Sequence, residues 1–300
     1  MIDWSMVLEV VRLTTFSMTP LLLAALGEIL TERAGIVNIG LEGILLIAGF
    51  VAVMFAEAYT SPLAGLLAGT LIGAFIGLIH GYISAYLKGN QIISGLGVNL
   101  FAYGFVAFGI EAVWGVRGYY TPPPSAKVPR IPGIDISPVF VIAVILSIIM
   151  YYVFEKTGIG LTIKAVGENP HAADVVGIHV ERVQLLATVI GSALTGLGGA
   201  FLSIDWLAAI TKELPAGRGF IALAIVNFAN WNPLLALGGS VLFGFFWTLG
   251  EWIKNLAVVK AVIPVTLINT IPYIATLAVT AGLIGRSRPP RHVGVPYKRE

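Results

Sequence analysis

The sequence predicts an all-α membrane protein, a polytopic bundle of transmembrane helices, and three observations carry that prediction. Hydrophobic residues make up 57% of the 300 residues and charged residues only 11%, whereas soluble proteins carry about 25% charged residues. The mean hydropathy is +0.90. Apolar stretches recur along the whole chain, and each helix that crosses a bilayer needs about 20 apolar residues. These observations exclude a soluble enzyme and a disordered chain.

The charge balance and the motif content exclude further classes. The net charge of +2 comes without a basic stripe, so nothing in the sequence is suited to the phosphates of a nucleic acid. The chain has no cysteine, which excludes disulfide bonds and thiolate metal sites. It contains no P-loop, HExxH or GxSxG pattern, and we interpret His171 and His179 as polar loop residues. We therefore expect no catalytic residue, metal site or cofactor in this chain.

Nine apolar stretches are candidate membrane spans, each judged against about 20 residues for a full crossing. The seventh holds about 13 residues and is short for that distance. Residues 1–11 carry Asp3 and Glu9 and no basic region, so we expect no cleaved signal peptide. The candidate spans are 14–30, 41–58, 62–87, 92–114, 138–154, 183–210, 219–231, 233–253 and 261–284.

The basic residues predict the orientation. The tail, 285–300, carries five of the 18 Lys and Arg residues, and such residues concentrate on the cytoplasmic side of a membrane. We therefore expect the tail and the polar segment 155–182 on the cytoplasmic side, and the N-terminus and the segment 115–137 outside. The latter includes three consecutive prolines at 122–124, which favour an extended chain over a helix. It is either an ordered lid or a plain linker.

The chain resembles itself at an offset of 171 residues. Six of the 16 positions from Pro62 to Gly77 are identical to those 171 residues later. Four spans in 14–114 would then match four spans in 183–284, with the odd span 138–154 between them. An odd separator reverses the second set, so we expect an inverted repeat of four plus four spans around one central span. Such repeats place a substrate path at their mutual interface.

Both halves are interrupted at corresponding places. Gly35 follows the first span of the first half, and Pro215 and Gly217 follow the first span of the second half. Glycine and proline interrupt helices and leave backbone polar groups without their helical partners. A bilayer tolerates such groups only where protein or a water-filled cavity surrounds them. A transport pathway is therefore favoured over a purely structural role.

The segment 158–178 holds the strongest local signal. Asn169 is a good N-cap, Pro170 a good first residue and Gly177 a good end for a helix. Such a helix is about 10 Å long and cannot span a bilayer. It suits either docking into a groove of a partner or an ordinary surface link between two spans. The residues that it would expose are Ala172, Ala173, Val175 and Val176, beside Glu168 and Asp174.

Four segments carry a resemblance that covers essentially the whole chain. Ala165–Ala173, continuing to Gly177 and Ile178, resembles the cytoplasmic coupling segment of ABC-importer permeases of the ribose and branched-chain amino acid type. The other three segments resemble the nucleoside and simple-sugar group of that family. They are Glu32–Gly43, Ala216–Ala224 and Gly294–Glu300.

The resemblance implies a single permease domain over 1–300 in the inner (plasma) membrane, forming the path for a nucleoside or a related simple sugar. It implies three partners: a cytoplasmic ABC ATPase that binds ATP and Mg, a second permease subunit that is a sister chain or a second copy, and an extracytoplasmic substrate-binding lipoprotein. Transferred motif by motif, the contacts with the ATPase fall on Gly167, Glu168, Asn169, Pro170 and Ala173.

Polar groups in apolar segments are the candidates for the substrate path, because burying them unpaired costs a few kcal/mol. A nucleoside offers base edges to Asn side chains and a flat face to Trp. The alternative is a structural role, since hydrogen bonds between transmembrane helices are common and contribute about 0.6 kcal/mol each. In that case Glu42 and Arg218 would cap broken helices or pair with charges. The candidates are Asn38, Glu42, Asn99, Trp206, Arg218 and Asn227, with Asp205 beside Trp206.

A second function stays open, that of a stand-alone secondary transporter or channel for a small polar solute. Ion-coupled carriers usually need ionisable groups deep in the bilayer. Nearly all charges of this chain lie near the predicted span ends, and Glu28 is the clearest exception.

Overall fold

The computed structural model is a bundle of helices with one short pair of strands. Within the part of the chain that it describes, seven helices are long and apolar enough to cross a membrane, which confirms a polytopic helical bundle. The described residues are 4–255, 270, 274 and 287–298. The helices are α1 (Trp4–Arg33), α2 (Leu41–Ala58), α3 (Pro62–Ala85), α4 (Gln91–Trp114), α5 (Pro138–Lys156), α6 (Gly158–Glu168), α7 (Pro170–Val175), α8 (Val180–Phe201), α9 (Arg218–Phe228) and α10 (Pro233–Asn255). A π-helical turn (Leu202–Trp206) extends α8, a 3-10 turn covers Pro124–Ala126, and the strands are β1 (Tyr119–Tyr120) and β2 (Ile210–Thr211).

Helix α1 is longer than the first predicted span, 14–30, because it begins at Trp4. Hydropathy marks the apolar part of a helix, whereas residues 4–13 mix charged and apolar side chains and still form helix. Arg12 makes an ion pair with Asp135 at 2.5 Å, so the first turns of α1 reach the segment 115–137.

Helices α1, α2 and α8 form the centre of the bundle, and α3, α4 and α5 lie around it with exposed apolar faces. Glycines allow the closest approaches. A Cβ built on Gly27 of α1 would lie 2.2 Å from the carbonyl oxygen of Gly191 in α8. One built on Gly73 of α3 would lie 2.5 Å from the carbonyl oxygen of Ser192 in α8. Small residues of this kind let transmembrane helices pack backbone to backbone.

The chain has two interruptions, which begin at opposite ends of α8. The first, 34–40, lies beside the end of α6, where Gly35 approaches Gly167. The second, 207–217, contains β2, which pairs antiparallel with β1. We name these two ends of the bundle the α7 end and the proline-rich end. Helix α9 follows the second interruption and has 11 residues, about 16 Å, which is too short to cross a bilayer.

The segment 155–182 is not a loop throughout, because α6 and α7 lie within it. The prediction of α7 is confirmed: Asn169 Oδ1 accepts a hydrogen bond from the backbone N of Ala172 at 3.0 Å, and Gly177 follows with a φ of 88°. Helix α6 lacks a long apolar run and so gave no signal as a span. Its N-cap is Thr157, whose side chain accepts from a backbone N at 3.2 Å.

The described helices account for eight of the nine predicted spans. Seven are the long helices, and the predicted span 219–231 is the short α9. The span predicted to end at position 210 ends at Trp206, because Ala208 takes a positive φ and β2 follows. The ninth predicted span, 261–284, lies outside the described residues except for two positions.

Candidate functional site

The first interruption, 34–40, is held by buried side chains from α1 and α8. The carboxylate of Glu28 accepts a hydrogen bond from the backbone N of Asn38 at 2.7 Å. The Asn38 amide donates to Ser192 Oγ at 3.2 Å, and its oxygen accepts from the backbone N of Gly40 at 2.9 Å. Asn38 is buried, so these bonds satisfy polar groups that would otherwise be costly to bury.

Asn99 ties α4 to the start of α2. Its Oδ1 accepts from the backbone N of Gly43 at 2.7 Å, and its Nδ2 donates to the carbonyl oxygen of Ile39 at 3.0 Å. Orphan backbone groups at the start of a helix need partners of this kind. Asn99 therefore has a structural role at the interruption, whatever its relation to the substrate.

Two further residues bind the first interruption and were not among the candidates. His80 of α3 lies between Ser94 Oγ at 2.9 Å and the carbonyl oxygen of Val37 at 3.1 Å. Gln91 Oε1 accepts from the backbone N of Val37 at 2.8 Å. Both are buried. An ionisable residue inside an apolar span indicates a functional site. This criterion would have identified His80 from the sequence.

Glu42 joins the two interruptions. Its two carboxylate oxygens accept from the backbone N of Gly217 at 2.6 Å and from that of Gly219 at 2.7 Å. These groups lie at the N-terminus of α9, where the helix dipole and the unpaired N–H groups favour an anion. The contact is close, since a Cβ on Gly219 would lie 2.4 Å from the backbone N of Glu42. The start of α2 is thereby fixed against the start of α9.

Arg218, the first residue of α9, is buried between two tryptophan rings. Its guanidinium carbon lies 4.7 Å from the ring centre of Trp206 and 3.9 Å from that of Trp247. Its Nη1 also donates to the carbonyl oxygen of Pro215 at 3.0 Å. Of the two rings, Trp206 was a candidate and Trp247 of α10 was not. Stacking of a guanidinium on an aromatic face contributes on the order of 0.5–2 kcal/mol.

Asn227 lies apart from the other candidates. It is exposed, and its Nδ2 donates to the carbonyl oxygen of Leu223, one turn earlier in α9. The other five candidates lie near the interruptions, whereas Asn227 shares no hydrogen bond with them among the described residues.

At the proline-rich end, Asp205 fixes the segment 115–137 to α8. Its carboxylate forms an ion pair with Arg130 at 2.7 Å and accepts a hydrogen bond from Ser137 Oγ. Arg130 also donates to the carbonyl oxygen of Asp205 at 2.9 Å and lies 4.0 Å over the ring of Phe16. The segment is thus packed against the helices at several points.

A second cluster holds the beginning of the same segment. Glu57 of α2 accepts hydrogen bonds from Trp114 Nε1 at 2.7 Å and from the Tyr120 hydroxyl at 2.6 Å. The two aromatic rings stack with centres 4.4 Å apart. The hydrogen bond to Glu57 raises the pKa of Tyr120 to about 12, because the Glu57 carboxylate stabilises the protonated hydroxyl.

At the α7 end, the five candidate coupling residues divide by exposure. Gly167, Pro170 and Ala173 are buried, whereas Glu168 and Asn169 are exposed. Gly167 is buried because α6 ends against α1: a Cβ there would lie 2.3 Å from the carbonyl oxygen of Arg33.

The expectation that α7 exposes four small apolar residues needs one correction. Ala172, Val175 and Val176 are exposed, the two valines by 87% and 74%. Ala173 is buried because it packs with Val166 and Val180, on the opposite side of this short helix. The exposed apolar face of α7 therefore excludes Ala173.

Comparison with known proteins places this arrangement in a family. A family model described as the branched-chain amino acid transport system / permease component matches residues 11–272. The chain is 34% identical to the guanosine ABC transporter permease protein NupQ of Bacillus subtilis over 96% of both chains. It is 33% identical to the nucleoside ABC transporter permease protein NupC of Lactococcus lactis over 93% of both chains. It is 29% identical to the putative glucose ABC transporter permease protein TsgC13 of Haloferax volcanii over 96% of both chains.

No solved structure gave a significant match. The family model nevertheless covers most of the chain, and the relatives align with it over nearly their whole lengths. The chain therefore belongs to the family of branched-chain amino acid transport system permease components, the ABC-importer permeases that its sequence resembles.

Proposed function

We propose that the chain forms the translocation path for nucleosides, or for related simple sugars, in an importer driven by ATP hydrolysis in partner subunits. One observation carries the substrate class: the similarity to permeases named for guanosine and for nucleosides over at least 93% of this chain. The relative named for glucose is the reason to keep simple sugars in the proposal.

In this proposal the helices form an inverted repeat, with four spans in 14–114, four in 183–284 and α5 between them. The packing supports it, because α3 lies against α8 as α10 lies against α1, and α2 lies against α8 as α9 lies against α1. When α1, α2 and α3 are matched with α8, α9 and α10, the contact of α3 with α8 corresponds to that of α10 with α1. In the same way, the contact of α2 with α8 corresponds to that of α9 with α1. The offset of 171 residues makes the same match.

The substrate path lies where the two interruptions meet. Glu42 joins them, and Asn38 and Asn99 hold the backbone of the first one. Trp206 offers a flat ring to a nucleobase, and Arg218 occupies the face of that ring in the present state. Asn227 is exposed in the single chain, as a residue that lines a path between two permease subunits would be.

The two ends of the bundle would bind different partners. The α7 end is cytoplasmic, with the segment 155–182 and the tail 285–300, and it meets the ABC ATPase that binds ATP and Mg. The exposed valines of α7 support this, because contiguous apolar residues on a polar face are typical of docking sites. The segment 115–137 is external and faces the substrate-binding lipoprotein. A second permease subunit, sister or copy, completes the complex in the inner (plasma) membrane.

One observation favours a second candidate, the stand-alone secondary transporter. Glu28 and Glu32 are both buried on α1, and buried carboxylates in a span can carry coupling protons. Their hydrogen bonds favour a structural role instead: Glu28 binds the backbone of the first interruption, and Glu32 binds the Trp231 indole after α9. Glu28→Gln keeps an acceptor oxygen, so ATP-driven uptake should survive it, whereas proton-coupled uptake should not.

Substrate uptake by the complete transporter tests the proposal. The chain, its ATPase, the second permease subunit and the lipoprotein would be reconstituted in proteoliposomes with ATP on the ATPase side. We expect labelled guanosine to accumulate, and unlabelled nucleosides but not free ribose or glucose to compete. Accumulation of labelled glucose without accumulation of guanosine would contradict the nucleoside assignment and select the sugar.

A further inference from the structure

The C-terminal segment 287–298 folds back onto the α7 end of the bundle. The backbone N of His292 donates to the carbonyl oxygen of Gly167 at 3.0 Å, and that of Gly294 donates to the carbonyl oxygen of Gly35 at 3.0 Å. The segment therefore binds the end of α6 and the first interruption at the same time. The substrate path proposed above makes no use of it.

Tyr297 anchors this segment to α7. Its side chain is only 4% exposed and packs with Val166, Ala173 and Val180. Its hydroxyl donates to Asp174 Oδ2 at 2.9 Å. Tyr297 thus contacts the face of α7 opposite to the exposed valines, and it covers Ala173 together with Val166 and Val180.

Two more side chains surround the Tyr297 ring. His171 of α7 meets it edge to face with ring centres 5.0 Å apart. Lys88, which follows α3, holds its ammonium group 5.5 Å from the ring centre and forms an ion pair with Glu181 of α8 at 3.1 Å. The anchor therefore connects α7 to the ends of two long helices.

Helix α7 depends on such contacts for its position. It has six residues, and helices shorter than about 12–15 residues are marginal in water without tertiary packing. Only Pro170 and Ala173 of α7 are buried. A force on its exposed face would reach the first interruption efficiently only if α7 is held firmly on its other face, and the C-terminal segment supplies that hold.

We propose that residues 287–298 form a clasp that fixes α7 to the first interruption, with Tyr297 as its positioning residue. The clasp transmits the movement of the docked ATPase from α7 to Gly35, and through Asn38 to the start of α2. This role rests on the proposed function, because it assumes that α7 is where the ATPase docks. The existence of the clasp itself does not depend on that assumption.

Cysteine labelling tests the existence of the clasp, and the chain is suited to it because it has no cysteine. In the detergent-solubilised full-length chain, Ala173→Cys should react with a maleimide at least about tenfold more slowly than Ala172→Cys, since labelling of a buried site requires local opening. Adding Tyr297→Ala should speed labelling at position 173 and leave position 172 unchanged. Equal rates at the two positions, or no effect of Tyr297→Ala at position 173, would overturn the proposal.

Uptake by the complete transporter tests the coupling role. Tyr297→Ala should lower ATP-driven uptake at least about fivefold, a typical size for the loss of coupling between two sites. Tyr297→Phe loses one hydrogen bond but keeps the packed ring, so its uptake should stay within about threefold of the unchanged chain. Val295→Ala, at an exposed position of the same segment, should have no effect. Unchanged uptake with Tyr297→Ala would refute the coupling role.

The two experiments separate the clasp from the proposed function. If the chain binds no ATPase at all, the proposed function fails, and the labelling rates still report whether Tyr297 covers Ala173. If ATPase binding and uptake are normal but position 173 labels as fast as position 172, only the clasp fails.

Discussion

At the scale of single residues, Glu42 connects two distant parts of the chain. Its carboxylate accepts hydrogen bonds from the backbone N–H groups of Gly217 and Gly219, which lie 175 and 177 residues later in the chain. A buried carboxylate with two backbone donors at a helix N-terminus is a favourable arrangement, and removing it leaves those donors buried without a partner.

The first prediction concerns Glu42. Glu42→Ala should destabilise the protein by about 1–3 kcal/mol for each unpaired backbone group, and Glu42→Gln should cost less because it keeps one acceptor oxygen. The measurement is the temperature at which half of the detergent-solubilised protein is lost from its size-exclusion peak. A Glu42→Ala protein as stable as the unchanged chain would mean that Glu42 does not cap α9 in the folded protein.

The second prediction concerns Arg218. Arg218→Lys keeps the positive charge but loses the planar group that stacks between Trp206 and Trp247, and the two side chains are not equivalent at stacked sites. We expect uptake by the complete transporter to fall, with normal expression and membrane insertion. Lys212→Arg, at an exposed position of the same interruption, is the matched control and should transport normally. Normal uptake by Arg218→Lys would show that the stack is not part of the path.

At the scale of helices, α1 and α8 are in close backbone contact at Gly27. A third prediction follows from its geometry. Gly27→Ala should destabilise the protein, because the added Cβ would lie 2.2 Å from the carbonyl oxygen of Gly191 and the helices must separate. Gly104→Ala in α4 meets nothing within 4 Å and should be neutral or stabilising, since alanine is the better helix former. The thermal size-exclusion assay compares the two, and equal stability would contradict the packing of α1 on α8.

Local sequence patterns predicted the long helices and α7. Apolar runs found the long helices, and Asn169, Pro170 and Gly177 set the bounds of α7 within one residue. The start of α1 was missed because hydropathy does not see the mixed residues 4–13, and α6 was missed because it has no long apolar run.

Contacts between distant parts of the chain explain what remained beyond prediction. The bond from Trp231 to Glu32 joins residues 199 positions apart, and no local pattern encodes it. The sequence marked Glu42, Arg218 and Trp206 as unusual and offered the capping of a broken helix as one role for Glu42. It did not indicate that the capped helix is α9, or that the Trp206 ring stacks on Arg218. The tail was noted for its charge and for a resemblance, whereas the contacts of Tyr297 depend on how the chain folds back.

At the scale of the whole molecule, the two interruptions give the permease its organisation. One begins beside α7 and the other beside the segment 115–137, and Glu42 joins them. In the proposed inverted repeat, a movement at the α7 end would therefore shift both halves at the joint where we propose the substrate path. The energy for this movement would come from the partner ATPase.

The most direct test of this account compares the two possible energy sources. Guanosine accumulation would be measured in proteoliposomes that contain either the complete transporter with ATP or this chain with an imposed proton or sodium gradient. The account predicts accumulation against a gradient with the complete transporter and ATP, and none with the chain and an ion gradient. Accumulation by the chain alone on an ion gradient would contradict it.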